Sequence, residues 1–318
     1  MKNVLLYAVA APFFFLFSVI FGAYLTFPYD HLRDFIVQEV ERGGQTHLQI
    51  TSLEPSWLTG VEAEGVTVSN VPEGDDEPAQ LVIEHVEARV SLLALMGGAT
   101  EVSFDTALEG GGVITGVFAN SEEATHIEAH IERVDLARIG PLRTSIGLPV
   151  QGVAQGDVDL TIGAEAVNTE GTANLTIRNL AIGDGEAQLE IEGLGAGLTL
   201  ERMNLGTLSF RMETERGTTT IEELHADGEH AELWATGSLR LAQQVERSSM
   251  DMLFRINFKE AYRTSSGRME GLFALLEINP QVRPARTSGG SFQWQISGSF
   301  GGRIRMIPRG GAPMPEAE

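Results

Sequence analysis

The chain of 318 residues contains no cysteine. That single absence excludes a disulfide framework, a lipid-modified N-terminal cysteine, a zinc–thiolate site and a cysteine nucleophile. Lysine is nearly missing too: only Lys2 and Lys259 occur, and arginine carries the rest of the positive charge. With 22 basic against 44 acidic residues the net charge is −22. Such a body repels nucleic acid and anionic lipid headgroups, so neither is expected as the main partner. Catalytic motifs are also lacking. There is no Gly-x-Ser-x-Gly elbow, and Gly110-Gly111-Gly112 has neither the lysine nor the following helix of a phosphate loop. His126-Ile-Glu-Ala-His130 departs from the His-Glu-x-x-His pattern. On a strand, His126, Glu128, His130 and Glu132 share one face, but i and i+4 stand about 13 Å apart, too far for one ion. This stretch reads as a solvated polar face. So do the histidines His225 and His230 around the turn Asp227-Gly-Glu229, and the acidic pairs Glu122-Glu123 and Glu222-Glu223 read as solvated loops. The sequence therefore predicts no enzyme, and no catalytic, cofactor-binding or metal residue is assigned.

What is present begins at the N-terminus. From Asn3 to Tyr29 there is no ionisable charge, and residues 4–27 are almost wholly apolar. At about 1.5 Å rise per residue this run crosses a hydrocarbon core of about 30 Å. A cleaved signal peptide has a shorter core of about 7–15 residues and a small-x-small site behind it. Here the residues behind it are bulky (Tyr24, Leu25, Phe27, Pro28, Tyr29), and the one Ala-x-Ala, Ala8 to Ala10, lies near the start. Residues 1–29 are therefore expected to form a short stub and a retained transmembrane anchor. Lys2 and the α-amino group precede the span while Asp30 follows it, which places the stub in the cytoplasm and the domain outside. No second run of spanning length occurs.

Residues 30–308 read as one β-rich domain, and residues 309–318 as a disordered tail. Asp30 is placed to cap a short amphipathic helix carrying Leu32, Phe35, Ile36 and Val40, ended by Gly43-Gly44. A strand over Leu48–Leu53 and a turn holding Trp57 follow. Val86, Ala88, Val90 and Leu92 mark another strand, running into a helical turn Leu93–Met96. Val113–Val117 and Ile127–Ile131 continue the pattern, and Val134–Ile139 reads as a short helix closed by Gly140-Pro141. Met250, Met252, Phe254, Ile256 and Phe258 alternate most cleanly of all. The pattern Gly-x-x-x-Leu recurs at Gly156, Gly171, Gly185 and Gly237, as if each glycine opened a strand of a hairpin string. One longer helix is expected over Ser265–Ile278 and a closing strand over Gly290–Gly298. The fold class is mainly β: an elongated, curved antiparallel sheet, half-barrel or solenoid-like, with a few short helices. Its apolar strand faces, with Trp57, Trp234 and Trp294, form either a packed core or a groove for acyl chains. Residues 240–309 hold eleven basic and five acidic residues, a basic end on an acidic body.

Several short elements in order carry a resemblance. They are Phe27-Pro-Tyr-Asp-His-Leu-Arg33, Leu53-Glu-Pro-Ser-Trp-Leu-Thr-Gly60, Val90-Ser-Leu-Leu-Ala-Leu-Met-Gly97, Gly147-Leu-Pro-Val-Gln-Gly152, Gly237-Ser-Leu-Arg-Leu241, Ser248–Lys259 and Ile296-Ser-Gly-Ser-Phe-Gly-Gly302. The chain resembles the type II secretion system protein N family over nearly its whole length. Some of the same elements resemble the wider AsmA-like group of anchored, β-rich periplasmic proteins associated with outer-membrane biogenesis and lipid transport. The first resemblance implies an accessory inner-membrane component of a machine that exports folded proteins. Its partners would be the membrane, through residues 4–27, and other secretion components. The second implies phospholipid acyl chains in an apolar groove. Neither brings a catalytic residue.

Overall fold

The computed structural model describes residues 29–42, 46–57, 59–70, 79–189, 198–240, 242, 247–299, 302 and 304–311. The expected anchor over residues 4–27, the loop at 71–78 and the glycines 43–44 lie outside them. Among the described residues, no helix is long and apolar enough to cross a membrane.

The chain is mainly β. After helix α1 (Tyr29–Glu41) come strands β1 (Thr46–Ser56), β2 (Gly60–Asn70) and β3 (Gln80–Val90), then the short helix α2 (Leu92–Met96). Strands β4 (Thr100–Leu108), β5 (Val113–Asn120) and β6 (Ala124–Asp135) lead to helix α3 (Gly140–Ile146). Next are β7 (Val150–Gly163), β8 (Glu170–Ile182), the two-residue strands β9 (Gln188–Leu189) and β10 (Leu198–Thr199), β11 (Met203–Glu215), β12 (Thr218–Asp227), β13 (Ala231–Arg240) and β14 (Ser249–Phe258). Helices α4 (Glu260–Arg263) and α5 (Gly267–Ile278) precede β15 (Phe292–Ser299) and β16 (Arg305–Pro308). All strands but β9 and β10 join one open, fourteen-stranded sheet in sequence order, with every neighbouring pair antiparallel. The two short strands pair with each other as a separate ribbon.

A meander has two ends, and they differ. The turns after β1, β3, β5, β7, β11, β13 and β15 lie at one end, and the remaining connections at the other. Helices α1, α3, α4 and α5 belong to the second end, which holds the main core. There Leu136, Val150, Leu180, Leu205, Ala226, Leu233, Ile256 and Phe292, contributed by the ends of successive strands, pack with Tyr262, Met269, Leu272 and Phe273. Helix α5 forms because Ser266 accepts from the Met269 N–H at 3.2 Å, and Met269, Leu272 and Phe273 follow at the i, i+3, i+4 spacing that makes one buried face. Burying each of these large side chains stabilises the fold by about 1.5–3 kcal/mol. A second, smaller cluster sits under α1, where Ile36 and Val37 cover Leu48, Ala63 and Val66.

The structure revises several sequence readings. Helix α1 begins one residue before Asp30, and Phe35 and Val40 stay exposed, because Ile36 and Val37 form the face that meets the sheet. Val134 and Asp135 end a strand; Asp135 then caps a single 3-10 turn, Leu136–Arg138. Gly140-Pro141 starts a helix where a break was expected, since a proline in the first turn lacks only an N–H that has no partner there. The recurrent glycines do not all open strands. Gly156 and Gly237 lie mid-strand at φ 153° and 155°, and Gly185 sits in a turn. A Cβ on Gly156 would stand 2.0 Å from the Asn174 carbonyl oxygen, and one on Gly237 2.3 Å from that of Asp251, so close backbone approach selects glycine there. The tail is ordered at its start: Gly310 N–H bonds the Pro284 carbonyl and Gly311 bridges Thr287, while residues 312–318 lie outside the described residues.

Candidate functional site

Cross-strand partners in a ladder share a face, so the register can be followed from strand to strand. One row runs Pro55, Val61, Ala88, Phe104, Gly116, Ala129, Val158, Ala173, Met212, Ile221, Gly237, Met252, Ile296, Met306. It crosses all fourteen strands without a polar side chain. The neighbouring row on the other face reads Glu54, Glu62, Glu87, Asp105, Thr115, His130, Asp157, Asn174, Arg211, Glu223, without an apolar one. Bulges keep the faces separate where the sequence alternation slips. Ile83 and Val86 fall on one side because the ladder to β4 shifts between Ile83 and His85, and Ile131 and Val134 do so through a shift toward β7.

At the end carrying α3, α4 and α5 the apolar face is packed. Further along the strands no described helix lies over it; Leu160, Ile162, Ala173 and Ile221 are buried there by their neighbours, while Val102, Phe104, Ile127, Val158, Leu175, Phe210, Met212, Met250, Met252 and Ile296 remain half-buried. Of the tryptophans, Trp294 lies on this face and stacks on Phe292, with ring centroids 6.0 Å apart. Trp234 lies on the other, stacked on His225 at 5.3 Å with the Arg255 guanidinium 4.0 Å over its ring. Trp57 is neither core nor lining; it projects from the β1–β2 turn at 77% exposure.

The polar face holds His85, His126, His130 and His225. His126 and His130 do share it with Glu128 and Glu132, as the strand periodicity requires, yet each histidine turns to a neighbour on β7. His126 meets Thr161 at 3.2 Å and Asp159 at 3.8 Å. His130 Nδ1 contacts Asp157 at 2.5 Å and its Nε2 contacts Glu132 at 3.0 Å. These two carboxylates, Asp157 foremost, raise the His130 pKa above the ordinary imidazole value. Glu87 is shifted the other way, down from the ordinary carboxyl value, by the Ser56 hydroxyl and then Arg89. His225 faces Glu232 across the β12–β13 ladder, and His230 stacks on Tyr262 and accepts from the Asn204 N–H. Glu222 and Glu223 belong to β12, where a loop was expected.

One cluster escaped the sequence. Glu62 and Glu64, two apart on β2, and His85, opposite Glu64 on β3, bring their ligand atoms within 4.8 Å of one another. Two carboxylates and an imidazole are donors a divalent transition metal accepts. The signal was Glu-x-Glu on a strand, but its third member emerges only from the register.

Comparison with protein-family models, curated proteins and solved structures finds no match to this chain.

Proposed function

We propose that this protein is an accessory component of a type II secretion system, held in the inner membrane by residues 4–27 and placing a periplasmic sheet beside the machine. The support is the order of its short motifs together with the body on which they fall. That body is a single meander whose other face carries a polar row across ten strands, six of its ten residues acidic. A sheet in which every strand pairs with its neighbours in sequence order suits a scaffold presenting one long charged surface to partners. Deleting the gene in its host and weighing the exported proteins is the test: loss of folded exoproteins from the medium supports the role, and an unchanged secretome refutes it.

A second reading, an AsmA-like lipid-binding or lipid-transfer protein, is favoured by the unbroken apolar row. Side chains from β7, β8 and β11–β15 meet in one core cluster at one end, which supports a sheet curled about that side as a half-barrel. Mid-strand glycines on the same face, Gly156 and Gly237 among them, are the devices by which sheets bend. The inside of such a trough, roofed at one end only, offers acyl chains an apolar bed. Native mass spectrometry of the full chain extracted in mild detergent should find bound phospholipid, and Phe210→Glu, in mid-trough, should abolish it. A lipid-free parent chain overturns this reading and leaves the scaffold standing.

A further inference from the structure

The large exposed apolar side chains are not scattered. Among the described residues, apart from those on α1, α5 and the edge strand β16, every one lies at the end of the sheet away from the helical core. They are Trp57 at 77% exposure, Leu92, Leu93 at 82%, Leu95, Met96 at 86%, Phe118, Val167 and Ile304. The densest part is a single knob. The β1–β2 turn with Trp57 and the β3–β4 connection with α2 are neighbours, joined where the Val90 N–H bonds the Thr59 carbonyl at 3.1 Å. Ser91 caps α2 and Gly97 closes it, so its four large apolar side chains are held outward on a built turn. From Val90 to Thr100 there is no charged residue, nor from Pro55 to Val61, in a chain of net charge −22.

We infer that this tip is a membrane-contact element that dips into the bilayer in which residues 4–27 anchor the chain. Position supports it. Helix α1 returns directly into β1, with the Glu41 carboxylate accepting from the Leu48 N–H at 3.3 Å, and β1 is its principal partner along the sheet. The helix therefore runs antiparallel to β1, and its first residue, Tyr29, where the apolar run of the sequence ends, is directed toward the turn that carries Trp57. An anchor leading into Tyr29 would address the same side of the molecule as the knob. Chemistry agrees, because a tryptophan amid leucines and methionine without charge suits the headgroup–acyl boundary. An acidic protein gains nothing from anionic headgroups, so contact rests on apolar insertion into zwitterionic lipid as readily as any other. The roofed end of the apolar face then points away from the membrane and its bare end toward it. This inference rests on the anchored-trough reading and specifies how acyl chains would enter.

The cysteine-free chain makes the test direct. Single nitroxide labels are placed by Leu93→Cys, Met96→Cys and Val167→Cys at the tip, and by Glu229→Cys in the β12–β13 turn at the opposite end. Each full-length chain is reconstituted in phosphatidylcholine nanodiscs, and collision with oxygen and with a water-soluble nickel complex is measured. The expected oxygen-to-nickel ratio is several-fold higher at 93 and 96 than at 229, with 167 between. Equal, water-like ratios at 93, 96 and 229 overturn the inference, and so does shielding of 93 and 96 from both agents, which marks a protein contact. Phospholipid counted on the same preparations keeps the readings apart: bound lipid with an aqueous tip sinks the tip and spares the trough.

Discussion

Tyr262→Phe tests the packed end of the sheet with a result that changes sign across the pH scale. Tyr262 is 1% exposed, its hydroxyl donates to the Glu201 carbonyl at 2.7 Å, and its ring stacks on His230 and meets Phe273 edge-on. Burial first, and the Glu201 charge second, push its pKa from 10.0 up to about 12. In the unfolded chain the phenol ionises near 10. Between those values the folded state keeps a proton that the unfolded state has lost, so stability falls as pH rises, by about 1.4 kcal/mol per unit and about 2–3 kcal/mol by pH 12. Removing the hydroxyl costs about 1 kcal/mol at pH 8, because the Glu201 carbonyl loses its donor, but it also removes this alkaline loss. Every other titrating group is common to both chains and cancels in the difference. The two stability curves should therefore cross, with the parent ahead by about 1 kcal/mol at pH 8 and behind by a similar amount near pH 12. Urea unfolding of the full chain in mild detergent, followed by circular dichroism from pH 8 to 12, measures both. A gap that stays constant to pH 12 refutes the reasoning, for it means the phenol ionises as freely folded as unfolded.

Gly156→Ala should lower stability by about 1–3 kcal/mol, since the new Cβ meets the Asn174 carbonyl oxygen at 2.0 Å. Gly267→Ala, at the start of α5 with nothing within 4 Å, should be neutral or stabilising, and thermal scans of the two variants decide. The His130 imidazole should titrate above 6.5 by proton NMR, and Asp157→Asn should bring it down toward that value. The sign follows from the raised pKa: its stabilising effect is full below the unfolded value and is lost as pH rises through the folded one.

Strands were legible where alternation is unbroken. Met250 to Phe258 is such a case, and β14 lies where the pattern placed it. Helix α5 was legible from its serine cap and its stop before Pro280. Alternation misled where a bulge intervened, as between Ile131 and Val134, because an extra residue restores the face only in three dimensions. The glycine repeat misled for a different reason. Glycine opens turns, but it also stands wherever a neighbouring carbonyl comes too close for a Cβ, and spacing alone does not separate the two. Strand β16 escaped because four residues rich in arginine and proline carry little β signal; its place is set by the ladder to β15. The apolar row and the Glu62–Glu64–His85 group were beyond reach for a shared reason: both are properties of register, which relates residues far apart in sequence.

A sheet with one apolar face ordinarily buries it under a second layer. This chain commits few residues to that layer. Its described helices are short, and apart from α2 they gather at one end and at the β1 edge. The polar face cannot supply the shortfall, because its row of carboxylates and other polar side chains, with histidines paired to several of the carboxylates, needs water or cationic partners. Nor do the open edges invite closure. Strand β1 carries Pro55, which lacks an N–H, and β16 carries Pro308 and Arg305, features that discourage edge-to-edge pairing. At the packed end side chains from seven strands, β7, β8 and β11–β15, converge on Tyr262 and α5. Toward the other end the apolar rows continue past the last helix, with Leu160, Ile162 and Ala173 buried and Phe210, Met212 and Met252 half-buried, and Trp57, Leu93 and Met96 stand in the open in the connections beyond them. Large apolar side chains left exposed at the tip are costly to keep in water at about 25 cal/mol per Å². The inferred dip of the tip into a bilayer would remove that cost.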